Sequence, residues 1–211
     1  MPTHGPPPIK STADIAIISW NLLHTGGATV EHVGQLIERH RPDLFLMQEA
    51  TVDLDSLPER VGGHYARLAL PGRHHGLAAW SARPLRSPAA TLHLQPGVIV
   101  ERTCQIVQLG VVTVANVHLS HGQVLNRRQL RRIALELPRT AAILGDCNMI
   151  GSPFLPGFHD VGPRQSTHRS ARILPLRLDR CFVRGLACGH AQVLLRGASD
   201  HRPIMVSLSA D

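Results

Sequence analysis

Helical periodicity in this chain is confined to two main stretches, residues 29–40 and 126–137, and each is bracketed by compact apolar runs of strand length. In the first, Val30, Val33, Leu36 and Ile37 recur at helical spacing until Arg41-Pro42 stops it. In the second, Leu130, Ile133, Ala134 and Leu137 gather on one side, with Arg127, Arg128, Arg131 and Arg132 largely on the other. The runs 15–20 and 43–48 flank the first helix, and 111–119 and 141–144 flank the second. The spacing predicts two strand-helix-strand units whose strands finish at polar residues: Asn21, Glu49, His118 and Asp146.

Between the two units the pattern is β-like and short. Runs at 65–70, 76–80, 91–94 and 99–109 are separated by Gly62-Gly63, Pro71-Gly72, Pro84 and Pro96-Gly97, which reads as a meandering antiparallel set. Residues 151–172 are rich in Pro, Gly, Arg and His and are expected to form a surface loop with a short helical turn. Strands are expected again at 177–183, 191–195 and 204–208.

A length of 211 residues with 43% hydrophobic content is enough for one buried core. The expected organisation is a disordered proline-rich tail over residues 1–13 and a single domain over 14–211, monomeric. No apolar run approaches the roughly 18 residues needed to cross a bilayer, and residues 1–10 lack the apolar core of a signal peptide, so a cytoplasmic protein without a membrane span is expected. Cys104, Cys147, Cys181 and Cys188 have no C-x-x-C spacing and mostly sit in apolar segments, as buried reduced thiols do.

The net charge of +7 is carried almost wholly by arginine, Lys10 being the one lysine. A planar guanidinium suits phosphate oxygens, which points to a polyanionic partner. An arginine-rich composition explains the same charge without one. The chain has no G-x-x-x-x-G-K, G-x-S-x-G or H-E-x-x-H motif, which removes the commonest nucleotide-binding, serine-hydrolase and zinc-protease readings.

The remaining chemistry lies in five short constellations: Trp20-Asn21, Gln48-Glu49, Asn116-Val117-His118-Leu119, Gly145-Asp146-Cys147-Asn148 and Ser199-Asp200-His201. Glu49 offers a hard oxygen of the kind Mg²⁺ or Mn²⁺ takes, and Mg²⁺ needs only one or two protein carboxylates. Strand alternation sends Asp146 and Asn148 to one side and Cys147 to the other. In this order the constellations resemble the endonuclease/exonuclease/phosphatase superfamily, the metal-dependent phosphoesterases that include deoxyribonuclease I-like enzymes. The likeness covers nearly the whole chain, from Ile18 to Leu208.

The resemblance implies an α/β fold: a four-layer α/β/β/α sandwich of two mostly antiparallel sheets face to face, with helices outside. It implies Glu49 as the metal ligand, Asp146 and Asn148 as the groups that activate water and bind the transferring phosphate, and His118 as a contact to that phosphate. His201 is implied as the second phosphate or acid/base group, oriented by Asp179 rather than by its neighbour Asp200, which supports the site. Substrate contacts are expected from Asn21, His168 and the loop arginines Arg164, Arg169 and Arg172. Two departures stand out: Leu22-Leu23 replaces the polar second-metal residue of apurinic-site endonucleases, and Arg180 stands where an aromatic residue or histidine is common. The expected activity is a nuclease acting on DNA or RNA by in-line water attack. The alternatives are a phosphodiesterase or phosphatase of lipid headgroups or small phosphate esters, and a catalytically silent binding module.

Overall fold

The first apolar run becomes β1 (Ile15–Asn21), α1 (Val30–His40) follows, and β2 (Leu44–Thr51) returns parallel to β1 with Asn21 opposite Gln48. The computed structural model describes residues 14–97, 101–170 and 174–210, so the tail expected over residues 1–13 lies outside the described residues. Helix α1 buries Val33, Gly34 and Ile37 and ends where Arg41 turns left-handed (φ 45°) and returns its N–H to Ile37 O. That conformation closes a helix end, and Pro42 prevents its continuation. A 3₁₀ turn at Val52–Ser56 and a short helix α2 (Leu57–Val61) come next. Sequence periodicity did not predict them, because elements of one turn are too short to register a 3.6-residue repeat. They bury Leu54 and Leu57 beside α1.

The middle of the chain is not one meander. Strand β3 (His64–Ala69) pairs with β4 (His75–Ser81), which pairs in turn with β2, whereas β5 (Ala90–His93), β6 (Thr103–Leu109) and β7 (Val112–His118) begin a second sheet. The stretch around Pro84 and Pro88, where proline removes the donors a ladder needs, lies between them. Helix α3 (Gln123–Glu136) leads to β8 (Ala141–Asp146), which runs parallel to β7 with His118 opposite Asp146. The last strands are β9 (His159–Asp160), β10 (His168–Ser170), β11 (Leu174–Leu176), β12 (Asp179–Arg184), β13 (Leu186–Val193) and β14 (Ile204–Ala210). The helical turn expected within residues 151–172 is absent among the described residues. Two short strands stand there instead, and Asp160 fastens the segment by accepting hydrogen bonds from Arg177 and Arg180.

Two six-stranded sheets result, in the orders β13-β14-β1-β2-β4-β3 and β5-β6-β7-β8-β12-β9, with β10-β11 as a separate ribbon. Each large sheet has one parallel pair, β1-β2 and β7-β8, the rest being antiparallel. Ile17, Leu44 and Leu46 of the first sheet meet Val107, Val114, Leu144 and Val183 of the second in a central core. On the outer faces Phe45, Met47 and Trp80 pack on Val33 and Ile37 of α1, while Val117, Ile143 and Phe182 pack on Leu130 and Ile133 of α3. The layers are therefore α/β/β/α, as the resemblance implied. Phe45 and Phe182 are essentially inaccessible to water, and each such side chain contributes about 1.5–3 kcal/mol of burial.

Both parallel pairs end at the same edge of the sandwich. Inside it, Gln48 Nε2 donates to Asn116 Oδ1 at 2.7 Å, while Asn116 Nδ2 donates to the carbonyls of Met47 and Ala78. This buried amide pair ties the strand carrying Glu49 to the strand carrying His118. Gly145, just before Asp146, has φ 141° and lies so close to β7 that a Cβ there would sit 2.0 Å from Val117 O. Gly145→Ala is accordingly expected to cost about 2–4 kcal/mol, the range of strained, overpacked sites. A urea midpoint shift at unchanged m reads it, and a loss below about 0.5 kcal/mol, the size of an ordinary surface change, would mean that the backbone relaxes freely.

Candidate active site

Asp146 is the centre of the polar cluster at that edge. Its Oδ2 accepts from Asn21 Nδ2 at 3.0 Å and its Oδ1 accepts from the Asn148 backbone N–H at 2.9 Å. Two imidazoles approach the same Oδ2, His118 Nε2 at 3.5 Å and His201 Nε2 at 3.6 Å. Burial raises the Asp146 carboxyl, but the two histidines and the hydrogen bonds from Asn148 and Asn21 outweigh it and bring it to about 2. The group is an anion at neutral pH.

The two histidines are driven apart. At His201, burial favours the neutral ring, yet Asp179 and Asp146 prevail and raise it to about 10. Its Nδ1 lies 2.8 Å from Asp179 Oδ2. Asp179 pairs with Asp146 across the β12-β8 ladder, and Thr167 Oγ1 accepts the backbone N–H groups of Leu178 and Asp179. At His118, burial dominates over the Asp146 charge and, helped by Arg102, pushes the ring down to about 4. One carboxylate oxygen therefore faces one charged and one neutral imidazole, the kind of separation that divides acid from base roles.

Glu49 is placed differently from the expectation of a strand end. Strand β2 runs on to Thr51, and Glu49 sits at a bulge between Gln48 and Ala50 with φ 58°. A bulge re-aims the side chain it carries, here into the cleft. Its Oε2 accepts the backbone N–H of His24 at 3.0 Å and contacts His24 Nδ1, while Oε1 lies 4.0 Å from His118 Nδ1. Burial raises this carboxyl, and His118 and the His24 hydrogen bonds more than reverse it.

Asn21, Glu49, His118, Asp146, Asn148, His168, Asp200 and His201 all line one cleft of about 350 Å³. Asp179 stands behind His201, outside the lining. Asn148 reaches the cleft by a left-handed turn (φ 47°) rather than by strand alternation, and its carbonyl is anchored by Asn126 Nδ2 at 2.8 Å. Asp200 faces His168, Oδ2 to Nδ1, at 3.8 Å, and a carboxylate oxygen of Asp200 also lies within 4.8 Å of a ring nitrogen of His201. Rings of His168 and His201 lie 4.5 Å apart.

Arg164 lies against Asp160 and is not part of the cleft wall. Arg169 is described by its backbone alone, in β10, and Arg172 lies outside the described residues. Arg180, the departure beside Asp179, buries its guanidinium against Asp160 and the carbonyls of Met149 and Gly151, which fixes the turn after Asn148. Sequence reasoning missed three groups. His24 bonds Glu49, Arg102 is a buried guanidinium in the electrostatic reach of Asp146 and Glu49, and His121 lines the cleft. His75 stacks on His24 with ring centroids 4.0 Å apart. None belongs to a spacing motif.

Two further groupings, Asp146-Asp179-His201 and His168-Asp200-His201, bring potential ligand atoms within 4.8 Å of one another. The first is buried and already hydrogen-bonded internally, which suits a relay of charge better than an ion. Glu49 fits a hard cation: its side chain is 16% exposed, and Oε1 has no hydrogen-bond partner among the described residues.

The sequence model of the Endonuclease/Exonuclease/phosphatase family matches residues 18–201. No protein of curated function matches the chain. Among solved structures, an endonuclease/exonuclease/phosphatase from Beutenbergia cavernae DSM 12333 is similar at 18% identity and TM-score 0.73, over 94% of this chain and 72% of that one. One from Bacteroides vulgatus is similar at 16% identity and TM-score 0.74, over 94% and 99% of the two chains. TDP2 of D. rerio, complexed with single strand DNA product, is similar at 14% identity and TM-score 0.73, over 93% and 99%.

Proposed function

The chain belongs to the endonuclease/exonuclease/phosphatase family, and from that premise we propose that it is a divalent-metal-dependent phosphodiester hydrolase acting on nucleic acid. The observation that carries this reading is Asp146, a buried anion held by two amide donors and flanked by one charged and one neutral imidazole at a cleft. Asp146 orients the attacking water and takes its proton, a role worth about 10²–10⁴ in rate. The His201 imidazolium, kept charged by Asp179, stabilises the negative charge that grows on the phosphoryl oxygens. Asn21 and Asn148 hold Asp146, the second amide hydrogen of Asn21 is left for the phosphate, and His118 adds a neutral donor. Mg²⁺ or Mn²⁺ at Glu49, when bound, neutralises phosphate oxygens and lowers the pKa of water.

The net charge of +7 and the DNA product in the D. rerio TDP2 structure support nucleic acid as the substrate. A second reading, a phosphatase or phosphodiesterase of small esters or lipid headgroups, is favoured by the apolar wall of the cleft, Leu23, Ile150, Leu176 and Leu178. Purified protein assayed on plasmid, single-stranded DNA, RNA and a chromogenic phosphodiester, with and without Mg²⁺ or Mn²⁺, separates them. Metal-dependent cleavage of a polynucleotide, with binding that falls steeply with salt, is the expected result. Cleavage of the small ester alone moves the assignment to the second reading, and no hydrolysis of any phosphodiester removes both.

The opposed histidines also set a pH dependence. His201 keeps its proton to about 10, so hydrolysis is expected to decline on the alkaline side near that value. In Asp179→Asn burial is less opposed and the limb moves to lower pH. Stability follows the same sign: the contribution of a raised imidazole is full below its ordinary value of about 6.5 and is lost as pH rises through about 10. Melting temperatures taken across that window are expected to fall more in the wild type than in Asp179→Asn. An alkaline limb that stays in place would detach His201 from the reaction.

A further inference from the structure

We propose that His24 is, together with Glu49, a ligand of the bound cation, and that its nitrogen turns the site toward first-row transition ions and away from Mg²⁺. This rests on the reading of Glu49 as the carboxylate that holds the ion. The turn after β1 is built to bring this ring to that carboxylate. Leu23 adopts φ 58°, with its N–H bonded to Asn21 Oδ1 at 3.2 Å, and this places His24 over Glu49. Ala28 N–H closes the turn onto Leu22 O at 2.7 Å, and a Cβ at Gly27 would lie 2.0 Å from the carbonyl oxygens of Leu22 and Leu23. The turn therefore admits no side chain at position 27. His75 stacks on His24 at an interplanar angle of 21° and fixes the ring from its other face.

The carboxylate does not need the ring in order to be oriented. Its Oε2 already receives the His24 backbone N–H, so the imidazole is a second group aimed at one oxygen. A cation at this point would meet Nδ1 of the ring and Oε2 of the carboxylate together. The His24 side chain is 41% exposed, which leaves room for water to complete the coordination. Mg²⁺ takes oxygen ligands and keeps most of its water, whereas imidazole is a ligand of transition ions. A carboxylate and an imidazole side by side distinguish the two classes in a way that a carboxylate alone does not. The departure at Leu22-Leu23, which removes a polar ligand from the turn, is offset by His24 one residue later.

Mn²⁺ is the probe, added to the full chain, with binding read by titration calorimetry and coordination by pulsed electron paramagnetic resonance. The expected spectrum has ¹⁴N modulation from a directly bound imidazole. In His24→Ala that modulation is expected to vanish and Mn²⁺ affinity to fall at least about tenfold, with Mg²⁺ affinity changed much less. His24→Phe keeps a ring for His75 to stack on and is expected to give the same result, which separates ligation from loss of the turn. Mn²⁺ that binds in a Glu49-dependent way without ¹⁴N modulation, or with modulation that survives both His24 variants, overturns the proposal and leaves Glu49 as the ligand. Unchanged Mn²⁺ binding in Glu49→Gln would instead overturn the reading of the site itself.

Discussion

Asp146→Asn is expected to leave a folded protein whose turnover on a phosphodiester is lower by about 10³–10⁴, the upper end of what a positioned general base contributes. The substitution is nearly isosteric and keeps an oxygen that can accept from Asn21 Nδ2 or from the Asn148 N–H. What it removes is the buried charge. With the charge gone, water has no acceptor for its proton, and His201 loses one of the carboxylates that keep it charged. Steady-state kinetics at saturating metal, with far-UV circular dichroism as the control for folding, measure it. KM should change little beside kcat, because the lost interaction is made in the transition state. A loss smaller than about tenfold would place the base elsewhere, since that is below the usual contribution of general-base catalysis.

The two strand-helix-strand units were readable because their helices carry a clean apolar stripe and their strands are continuous apolar runs. Each unit brings its own pair, Asn21 with Glu49 and His118 with Asp146, to one strand edge, and that the two edges form a single site was implied by the family resemblance. Partner choice among the middle strands was not readable. Periodicity identifies a strand but not its neighbour, and β3-β4 and β5-β6 look alike as sequence while belonging to different sheets. The bulge at Glu49 was invisible for a related reason, since it exists only in the register between β2 and β4. Asp179 was tied to His201 by family likeness, because the two residues are distant in sequence and adjacency pointed to Asp200. His24, Arg102 and His121 act by position in space. Arg164 suggested a substrate contact by its charge; it lies 3.8 Å from Asp160, whose carboxylate also holds Arg177 and Arg180, and its exposed side chain is outside the cleft lining.

Glu49→Gln is expected to abolish metal-dependent hydrolysis while leaving the fold, and its value lies in separating a metal ligand from a structural carboxylate. Chelation should silence the wild type to the level of this variant, and added metal should restore only the wild type. Heat offers an independent reading. An ion that binds the folded chain alone stabilises it by about 2.7 kcal/mol at one hundred times its Kd, which for a chain of this size is about 5–10 °C in Tm. The wild type should show that rise with Mn²⁺, and Glu49→Gln should show almost none. Without metal the variant has a second, opposite-facing test. The Glu49 carboxyl is lowered in the folded protein, so its stabilising contribution is present above the ordinary carboxylate value and is lost as the pH falls. The metal-free wild type should therefore exceed the variant in Tm near neutral pH, and the difference should close in acid. If the variant binds Mn²⁺ and melts like the wild type, Glu49 holds only the His24 turn, and the cation must be sought at another group.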